Sequence, residues 1–355
     1  QTQTMAEQQK ATSMQVARLA GVSQSAVSRA FTPGASVSEK MRRRVLEAAR
    51  KLSYQPNAIA RSLITRRSNM MGIVIANITT NPFYPDVLDA LSRRFQERGQ
   101  RVMLFVVTRD QSLDDILPQL FEYQVDGILI TAATLSSEMA QECERLGTPV
   151  TLFNRYVLGT SASWVCCDNE EGGRMVARLF LDAGHERPAF LTGSEDTSTS
   201  VDRERGFTDY LQEHGVIPLR EVGHYTYRWA YEATLRLLDC PERPDAIFCA
   251  NDIMAIGALE AIRSGRGLRV PEDVSVIGFD DISMAAWPSY NLTTIRQPVV
   301  PMMDESVEVL LRRVEDPEAP FVNRLIPGDL VVRGSARLPK GVSSGWVITK
   351  EQDHE

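Results

Sequence analysis

Two loops in the second half of the chain begin with polar side chains that can hold hydroxyl groups. Asn251 and Asp252 directly follow one apolar run, and Asp280 and Asp281 follow another. Ligands in open parallel sheets bind beyond the carboxyl ends of the strands, so both loops are candidates for a binding site. The alternative for Asn251 and Asp252 is that one of them caps the helix that follows.

An aromatic pair, Phe83 and Tyr84, lies in the loop after the first apolar run of the same region. The rings can stack on a sugar ring, a base or the apolar face of another ligand, or they can simply pack within the loop. Carboxylate, amide and aromatic groups together are typical of sites that bind polyhydroxylated molecules. The sequence therefore predicts a small-molecule site.

None of these residues forms a recognisable catalytic or metal-binding motif. Asp280 and Asp281 are adjacent and point in different directions, whereas the paired carboxylates of glycosidases face each other across about 5–9.5 Å. The four histidines lie in no nucleophile or metal motif, and neither G-x-S-x-G nor a P-loop occurs. The five cysteines are odd in number and lack C-x-x-C spacing. We therefore expect no catalytic residue, no cofactor and no metal.

A second set of candidate binding residues lies near the N-terminus, on a short helix predicted at residues 24–31. Three alanine and valine positions of this helix face inward and leave four polar side chains outside. These can hydrogen-bond base edges and phosphates: Gln24, Ser25, Ser28 and Arg29. A preceding helix ends at Gly21, and two short helices joined by a tight turn are typical of a helix-turn-helix, although such hairpins also occur in all-α proteins. A third helix is predicted to end at residue 51.

Residues 54–63 join this segment to the rest of the chain. Asn57 can cap a short helix, and Pro56 ends the structure before it. The helix would be shorter than the about 12–15 residues that isolated helices need in water. It therefore requires a second copy of the chain or a DNA surface in order to fold.

From residue 70 onward, apolar runs alternate with helical patterns. The runs occur at 71–75, 101–107, 126–131 and 148–153, with a second set at 188–191, 245–249 and 274–279. Strands that are buried on both faces and alternate with helices predict an α/β fold with doubly wound parallel sheets.

Charge is unevenly distributed along the chain. Residues 1–69 carry 12 Lys and Arg against 3 Asp and Glu, whereas all 355 residues together have a net charge of −7. A basic head on an acidic body indicates an electrostatic partner for the head, most often nucleic acid, although a merely solvated surface is the alternative. With no run of about 18 apolar residues and no signal-peptide pattern, we expect a cytoplasmic protein with no membrane partner.

Several segments, in order, resemble the LacI/GalR family of repressors. They are V-A-R-L-A-G-V-S at 16–23, A-V-S-R at 26–29, V-S at 37–38 and Y-x-P-N-x-x-A-x-x-L at 54–63. The resemblance extends from about residue 13 to about residue 337. It implies a small all-α helix-turn-helix head and a two-subdomain body like that of periplasmic binding proteins.

The resemblance also implies roles for individual residues. Gln24, Ser25 and Arg29 fall at base-reading positions. In the family, paired hinge helices occupy the minor groove and a leucine at the position of Leu63 wedges between base pairs, although Leu63 could instead pack on the partner copy. Asn57 and Ala60 belong to the same hinge motif. The effector-binding positions that the resemblance implies are Asn154, Arg155, Arg203, Tyr225 and Asp280. Phe83, Tyr84 and Asn251, from the loops described above, complete the predicted effector site.

Together these observations predict an effector-responsive, sequence-specific transcriptional regulator, a repressor of genes for the use of sugars or sugar acids. The expected partners are double-stranded operator DNA, a carbohydrate-like effector and a second copy of the chain. A solute-binding receptor without DNA function is the alternative, which the basic head disfavours. The expected divisions are a head at 12–53, a hinge and linker at 54–69, a body at 70–337 with subdomains at 70–165 plus 297–327 and 166–296 plus 328–337, and a disordered tail at 338–355.

Overall fold

The computed structural model describes residues 11–32, 34–55, 67–76, 81–108, 111–131, 135–341, 345 and 347–348. They fall into two compact units, Gln1–Ser68 and Asn69–Glu355. The predicted α/β fold class with a small all-α head is confirmed: the described part of the first unit is helical, and the second contains two sheets with helices packed on them.

The N-terminal unit contains three helices: α1 (Ser13–Ala20), α2 (Gln24–Ala30) and α3 (Glu39–Lys51). Thr12 and Gln15 form a capping box at the start of α1, and the side chain of Ser23 caps α2. Gly21 ends α1 with a φ of 63°, in the left-handed region that glycine adopts without strain. Val16, Val27 and Val45 bring the three helices together in one small core.

Two arginines of α3 close the C-terminal ends of the other two helices. Arg44 Nη2 donates to the carbonyl oxygen of Ala20 at 2.6 Å, and Arg42 Nη1 donates to that of Ala30 at 3.1 Å. Cations are favoured at helix C-termini, where the last carbonyl groups lack helical partners. These two side chains therefore hold the helix-turn-helix together.

The second unit begins with a six-stranded parallel sheet, sheet 1. Its strands are β1 (Met70–Ala76), β2 (Arg101–Val107), β3 (Gly127–Thr131), β4 (Val150–Phe153), β5 (Ser163–Cys167) and β11 (Asn323–Ile326), in the spatial order β11-β5-β4-β3-β1-β2. The helices α4 (Phe83–Glu97), α5 (Leu113–Glu122), α6 (Ser137–Arg145) and α11 (Val299–Glu315) pack on it. Sheet 1 and these helices are called half 1.

The strands of sheet 2 are β6 (Pro188–Thr192), β7 (Leu219–Val222), β8 (Ala246–Cys249), β9 (Ser275–Asp280), β10 (Thr293–Arg296), β12 (Asp329–Val331) and β13 (Val347–Ile348). Their spatial order is β13-β12-β10-β9-β8-β6-β7. The helices α7 (Asn169–Asp182), α8 (Ser198–Glu213), α9 (Tyr227–Leu238) and α10 (Asp252–Glu260) complete half 2. The chain changes halves after β5, after β10 and between β11 and β12.

The last two strands of sheet 2 depart from the expected pattern. β12 pairs antiparallel with β10, and β13 pairs antiparallel with β12 in the register Val331↔Val347. The expectation of a disordered tail was therefore wrong at Val347 and Ile348. An edge strand offers unpaired backbone groups, and two β-branched residues can use them even in a polar segment.

Two glycines allow α7 and α8 to pack backbone against backbone. A Cβ at Gly173 would collide with the carbonyl oxygen of Arg203, and a Cβ at Gly206 would collide with that of Glu170. Helix axes approach this closely only where a side chain is missing. The two glycines therefore fix the position of α8, which carries Arg203. No helix among the described residues is long and apolar enough to cross a membrane.

Candidate functional site

Helix α2 exposes the four polar side chains that the sequence predicts as DNA contacts. Ala26, Val27 and Ala30 are buried. Gln24, Ser25, Ser28 and Arg29 are all exposed. The pattern places one face of α2 in the core of the N-terminal unit and presents hydrogen-bonding groups on the other.

Two of the four polar side chains of α2 already make hydrogen bonds. The side-chain amide of Gln24 donates to Ser13 Oγ at 2.8 Å, and the hydroxyl groups of Ser23 and Ser25 lie 2.9 Å apart. These contacts orient the N-terminal turn of α2. The hinge candidates Asn57, Ala60 and Leu63 lie outside the described residues.

A small polar cavity of about 30 Å³ lies between the two halves of the body. It is lined by Asn81, Tyr84, Asn154, Arg155, Thr199, Arg203, Tyr225, Asn251 and Asp280. Seven of the eight effector candidates from the sequence therefore converge on one place. The exception is Phe83, whose side chain is buried in the core with its ring centroid 5.4 Å from that of Tyr84. As the first residue of α4 it points to the core, while Tyr84 points to the cavity.

Arg203 of α8 is held by groups of the protein itself. Its Nε donates to Asn169 Oδ1 at 2.8 Å, and its Nη1 donates to the carbonyl oxygen of Ala250. The guanidinium carbon lies 3.6 Å from the centroid of the Phe279 ring, a cation–π contact. Only 2% of the residue is exposed. Because these contacts fix the guanidinium on several sides, it is a preorganised cation at the cavity wall.

The adjacent carboxylates Asp280 and Asp281 serve different partners. Asp280 faces the cavity, where Oδ1 accepts from Gln297 Nε2 at 2.7 Å and lies 3.6 Å from Arg203 Nη2. Asp281 turns away and pairs with Arg296 at 2.7 Å and Arg333 at 2.6 Å. The two carboxyl groups therefore do not face each other across a substrate position, and their arrangement gives no acid–base pair.

Left-handed backbone conformations aim several of these side chains. Asn154, at the end of β4, has a φ of 63°, Tyr225 has a φ of 55°, and Asp280 has a φ of 120°. Non-glycine residues in such conformations carry a backbone cost and cluster at functional sites. The Tyr225 ring lies against Gly193, where a Cβ would collide with it. The cavity is thus built at the expense of local backbone stability.

Two lining residues, Asn81 and Thr199, were not among the candidates from the sequence. Asn81 Nδ2 lies 3.5 Å from Asp280 Oδ2 and joins the two halves. Thr199 lies one helical turn before Arg203, and its hydroxyl is 2.9 Å from that of Tyr225. The i, i+4 spacing from Arg203 puts both side chains on one face of α8, which is the signal that could have identified Thr199.

Burial shapes the ionisation of the cavity. Burial raises the pKa of Asp280, against the opposing effects of Arg203, Gln297 and Asn81. Behind it, burial and then the charge of Asp280 raise the pKa of Asp252 to about 8. Asp252 accepts hydrogen bonds from Thr294 Oγ1 at 2.5 Å and from the backbone N–H of Ile282 at 2.9 Å. It is thus a buried carboxyl that burial holds protonated at neutral pH.

Unsatisfied buried atoms mark the cavity as a place for a ligand. Asn251 uses its Oδ1 to cap α10, while its Nδ2 has no hydrogen-bond partner among the described residues. Asn154 Oδ1 likewise lacks a partner within the described part of the chain. Leaving such groups unpaired in the interior costs about 1–3 kcal/mol each. A ligand group that both accepts and donates hydrogen bonds, as a hydroxyl group does, could therefore satisfy this one donor and this one acceptor.

A second cavity of about 410 Å³ lies on the other side of α8. Tyr156 and Trp164, at its wall, stack with their ring centroids 4.9 Å apart. Tyr156 of half 1 donates from its hydroxyl to Asp202 Oδ2 of half 2 at 2.7 Å, and from its backbone N–H to Ser198 Oγ at 3.1 Å.

Metal-ligating side chains and thiols form no further site among the described residues. No group of three or more His, Cys, Asp or Glu residues there could hold a metal ion. The five cysteines are free thiols, of which Cys240 is exposed and the others are buried.

Comparison with known proteins identifies the family. Residues 14–57 match the model of bacterial regulatory proteins of the lacI family, and residues 177–336 match that of a periplasmic binding protein-like domain. The ribose operon repressor of Escherichia coli (strain K12) is 33% identical over 331 residues, which cover 92% of this chain and 100% of that protein. The chain belongs to the LacI family. The resemblance noted in the sequence is thereby confirmed.

Further members of the LacI family agree. The probable HTH-type transcriptional repressor ExuR of Bacillus subtilis (strain 168) is 31% identical, over 91% of this chain and 97% of that protein. A crystal structure of the lac repressor dimer bound to operator and the anti-inducer ONPF matches with a TM-score of 0.83 and 28% identity, over 92% of this chain and 99% of that one. These relatives are transcriptional regulators rather than enzymes.

Proposed function

We propose that this LacI-family member is a homodimeric repressor that binds operator DNA and responds to a small polyhydroxylated effector. Residues 12–53 form the DNA-binding head, residues 54–69 the hinge and residues 70–337 the effector-binding and dimerising body. One observation carries the proposal: the same chain combines an exposed polar face on a helix-turn-helix with a polar cavity between two parallel-sheet halves. An operator as target places its action in the cytoplasm.

In the head, Gln24, Ser25, Ser28 and Arg29 are the proposed contacts with base edges and phosphates. Arg29 has the planar fork that pairs with guanine O6 and N7, and Gln24 can address adenine N6 and N7. The net charge of residues 1–69 supports attraction to the phosphate backbone. Asn57, Ala60 and Leu63 are the proposed minor-groove contacts of the hinge.

In the body, the effector would bind between Asn154, Arg155 and Tyr84 of half 1 and the residues of half 2. A cavity of about 30 Å³ holds only about one water molecule, so a sugar-sized effector enters when the halves separate. An effector that prefers one arrangement of the halves shifts their equilibrium, and a coupling of about 1–3 kcal/mol suffices for regulation of DNA binding. The names of the ribose operon repressor and of the lac repressor complex support a carbohydrate-like effector.

The proposal assigns no enzymatic role to the cavity. Asp280 and Asp281 have separate partners, and no nucleophile paired with a base lines the cavity among the described residues. The polar groups there converge as a recognition site does.

The proposal is tested by selecting binding sites from a pool of random duplex DNA with the full-length protein. We expect a palindromic site whose binding weakens steeply as salt rises, because phosphate contacts release counterions. Arg29→Ala should reduce discrimination between the selected and a scrambled site by about 1–3 kcal/mol, measured by fluorescence anisotropy.

Arg50→Ala is the matched control, since Arg50 is exposed on α3 rather than on α2. It should leave the ratio of specific to scrambled affinity unchanged. Failure to enrich any sequence, or binding that is insensitive to salt, would contradict the proposed function.

A further inference from the structure

We propose that Ser13 is a positioning residue for DNA recognition, which holds the side-chain amide of Gln24 so that it accepts adenine and rejects guanine. This inference rests on the proposed function and deepens it, because it assigns a base preference to one position of the operator. Three features of the N-terminal unit carry it: a hydrogen bond between two helices, a hydroxyl group that its own helix does not need, and the donors that remain on the amide.

The hydrogen bond joins the first residue of α1 to the first residue of α2. Gln24 Nε2 donates to Ser13 Oγ at 2.8 Å, although the two residues are 11 positions apart in the sequence. Gln24 is exposed and Ser13 is half-buried. In a helix-turn-helix, the N-terminal residues of the second helix contact base edges. The bond therefore orients a side chain at the place where bases are read.

The start of α1 does not depend on the hydroxyl group of Ser13. Thr12 Oγ1 accepts from the backbone N–H of Gln15 at 3.3 Å, and Gln15 Oε1 accepts from that of Thr12 at 2.8 Å. This capping box closes the N-terminus of α1. Among the described residues, the side chain of Ser13 forms its hydrogen bond with Gln24. The hydroxyl group thus serves the contact between helices rather than the cap of its own helix.

The rest of the unit fixes Ser13 relative to α2. Val16 of α1 and Val27 of α2 are buried in the same small core. At the other end of α1, Arg44 Nη2 donates to the carbonyl oxygen of Ala20 at 2.6 Å. Because α1 is held along its length, a side chain bonded to Ser13 keeps one orientation. Gln24 therefore loses rotamer freedom before DNA binds, and binding no longer carries that entropic cost.

The bond also decides which groups Gln24 offers to a base. A side-chain amide has two N–H donors and one carbonyl acceptor, and Ser13 occupies one of the donors. The remaining donor and acceptor match adenine, whose major-groove edge presents an acceptor at N7 and a donor at N6. Guanine presents two acceptors, N7 and O6. A free amide can turn both N–H groups towards them, whereas the amide held by Ser13 has only one to offer.

Arg29 provides an internal reference on the same helix. Its guanidinium group carries donors only, so it suits guanine whether or not Ser13 is present. A change at Ser13 should therefore alter the preference at the base pair that Gln24 reads. It should leave the preference at the base pair that Arg29 reads as it is.

The test measures the affinity of the full-length protein for a set of duplexes by fluorescence anisotropy. The set contains the palindrome selected from random DNA and variants with each base pair replaced in both half-sites. The base pair at which Gln24→Ala loses the wild-type preference is the one that Gln24 reads, and we expect adenine there. Ser13→Ala should lower the ratio of adenine to guanine affinity by about 5-fold per half-site, as the loss of a neutral hydrogen bond does.

A double-mutant cycle separates positioning from a merely structural role. In the Gln24→Ala background, Ser13→Ala should no longer change the ratio, because the amide that it positions is absent. Ser13→Thr keeps a hydroxyl group and should retain the wild-type ratio. Ser137→Ala is the matched control, since Ser137 is likewise the first residue of a helix, α6, directly after its cap. It should change no base preference.

The inference is overturned by an unchanged ratio in Ser13→Ala, by an equal loss of affinity at every base pair, or by the same loss in Ser13→Thr. It is also overturned if Ser13→Ala acts equally without Gln24, if Gln24→Ala changes no preference, or if Gln24 reads a base other than adenine. Any of these results with a selected palindrome overturns this inference alone. A protein that selects no DNA sequence overturns the proposed function as well.

Discussion

The carboxyl groups of Asp252, Asp280 and Asp281 differ in their hydrogen-bonding and ion-pairing partners. Asp281 is paired with two arginines, Asp280 with one arginine and two amides, and Asp252 with a threonine hydroxyl and a backbone N–H. The sequence shows only that carboxylates follow two apolar runs. Which of them is charged, and which faces the ligand, depends on contacts between residues far apart in the chain.

The Asp252 carboxyl should make the stability of the body depend on pH. Its pKa of about 8 in the folded state exceeds that of an unfolded aspartate, so the unfolded state releases the proton first as pH rises. The stability that this group contributes is complete below about pH 4 and is lost as pH rises towards about 8, by at most about 1.4 kcal/mol per pH unit. Asp252→Asn keeps a neutral group there and should remove this dependence.

Urea unfolding followed by tryptophan fluorescence measures this effect, because all four tryptophans belong to residues 69–355. The free energy of unfolding of Asp252→Asn, relative to wild type, should increase from pH 5 to pH 8. Asp209→Asn changes an exposed carboxyl of α8 and is the control, with an expected change near zero. A constant difference between Asp252→Asn and wild type would show that Asp252 does not hold its proton in the folded state.

At the scale of elements, the sequence predicts most of what is local. Apolar runs identify the first four strands of sheet 1, and the cap at Ser23 identifies the start of α2. Both can be predicted because strand burial and helix capping depend on residues that are close together in the sequence. Leu19 recurs with Val16 and Ala20 at helical spacing, yet it is 52% exposed, since a three-helix unit is too small to cover it. Val347 and Ile348 were missed because only the free edge of β12 gives them structure.

Some residues of the candidate site can likewise be predicted from the sequence alone, and others cannot. Strand ends locate Asn251 and Asp280, since ligands bind at the carboxyl ends of parallel strands. Arg155, Arg203 and Tyr225 were found through the resemblance to a family rather than from the residues themselves. Asn81 bridges to Asp280 across 199 positions of sequence, and nothing local to Asn81 indicates that contact.

Replacing Gly206 by alanine would have two opposing effects on stability, one through helix propensity and one through packing. Alanine is favoured over glycine within a helix by about 1 kcal/mol, whereas a Cβ here would enter the carbonyl group of Glu170. Overpacking costs about 1–3 kcal/mol or more, and here the obstacle is backbone. We expect Gly206→Ala to destabilise the body by about 2 kcal/mol and to weaken effector binding, because α8 carries Arg203.

Urea unfolding measures the free energy of unfolding of the body, and isothermal titration with a sugar that binds the wild-type protein measures the affinity for the effector. Asp209→Ala, three residues further along α8 and exposed, should change stability by less than about 0.5 kcal/mol. A Gly206→Ala variant as stable as wild type would mean that α7 and α8 can separate without cost.

At the scale of the whole body, the two halves are held together by contacts outside the cavity as well as within it. Tyr156 of half 1 reaches Ser198 and Asp202 of α8, and Arg205 holds Asp202 from the other side at 2.9 Å. Burial raises the pKa of Tyr156 to about 12, and the bond to Asp202 adds to this effect, so the hydroxyl remains a donor. The Tyr156–Asp202 contact is therefore suited to set how often the halves open.

Tyr156→Phe removes this hydrogen bond and keeps the ring that stacks on Trp164. Loss of a hydrogen bond to a carboxylate costs about 1.5 kcal/mol or more, which corresponds to about a 10-fold change in the balance between closed and open arrangements. Hydrogen exchange of the full-length protein should then be faster at residues 154–158 and 198–203. Tyr210→Phe, which alters a tyrosine of α8 itself, should leave these segments unchanged. If Tyr156→Phe exchanges at the wild-type rate, the halves are held by the cavity contacts, and the effector alone governs their separation.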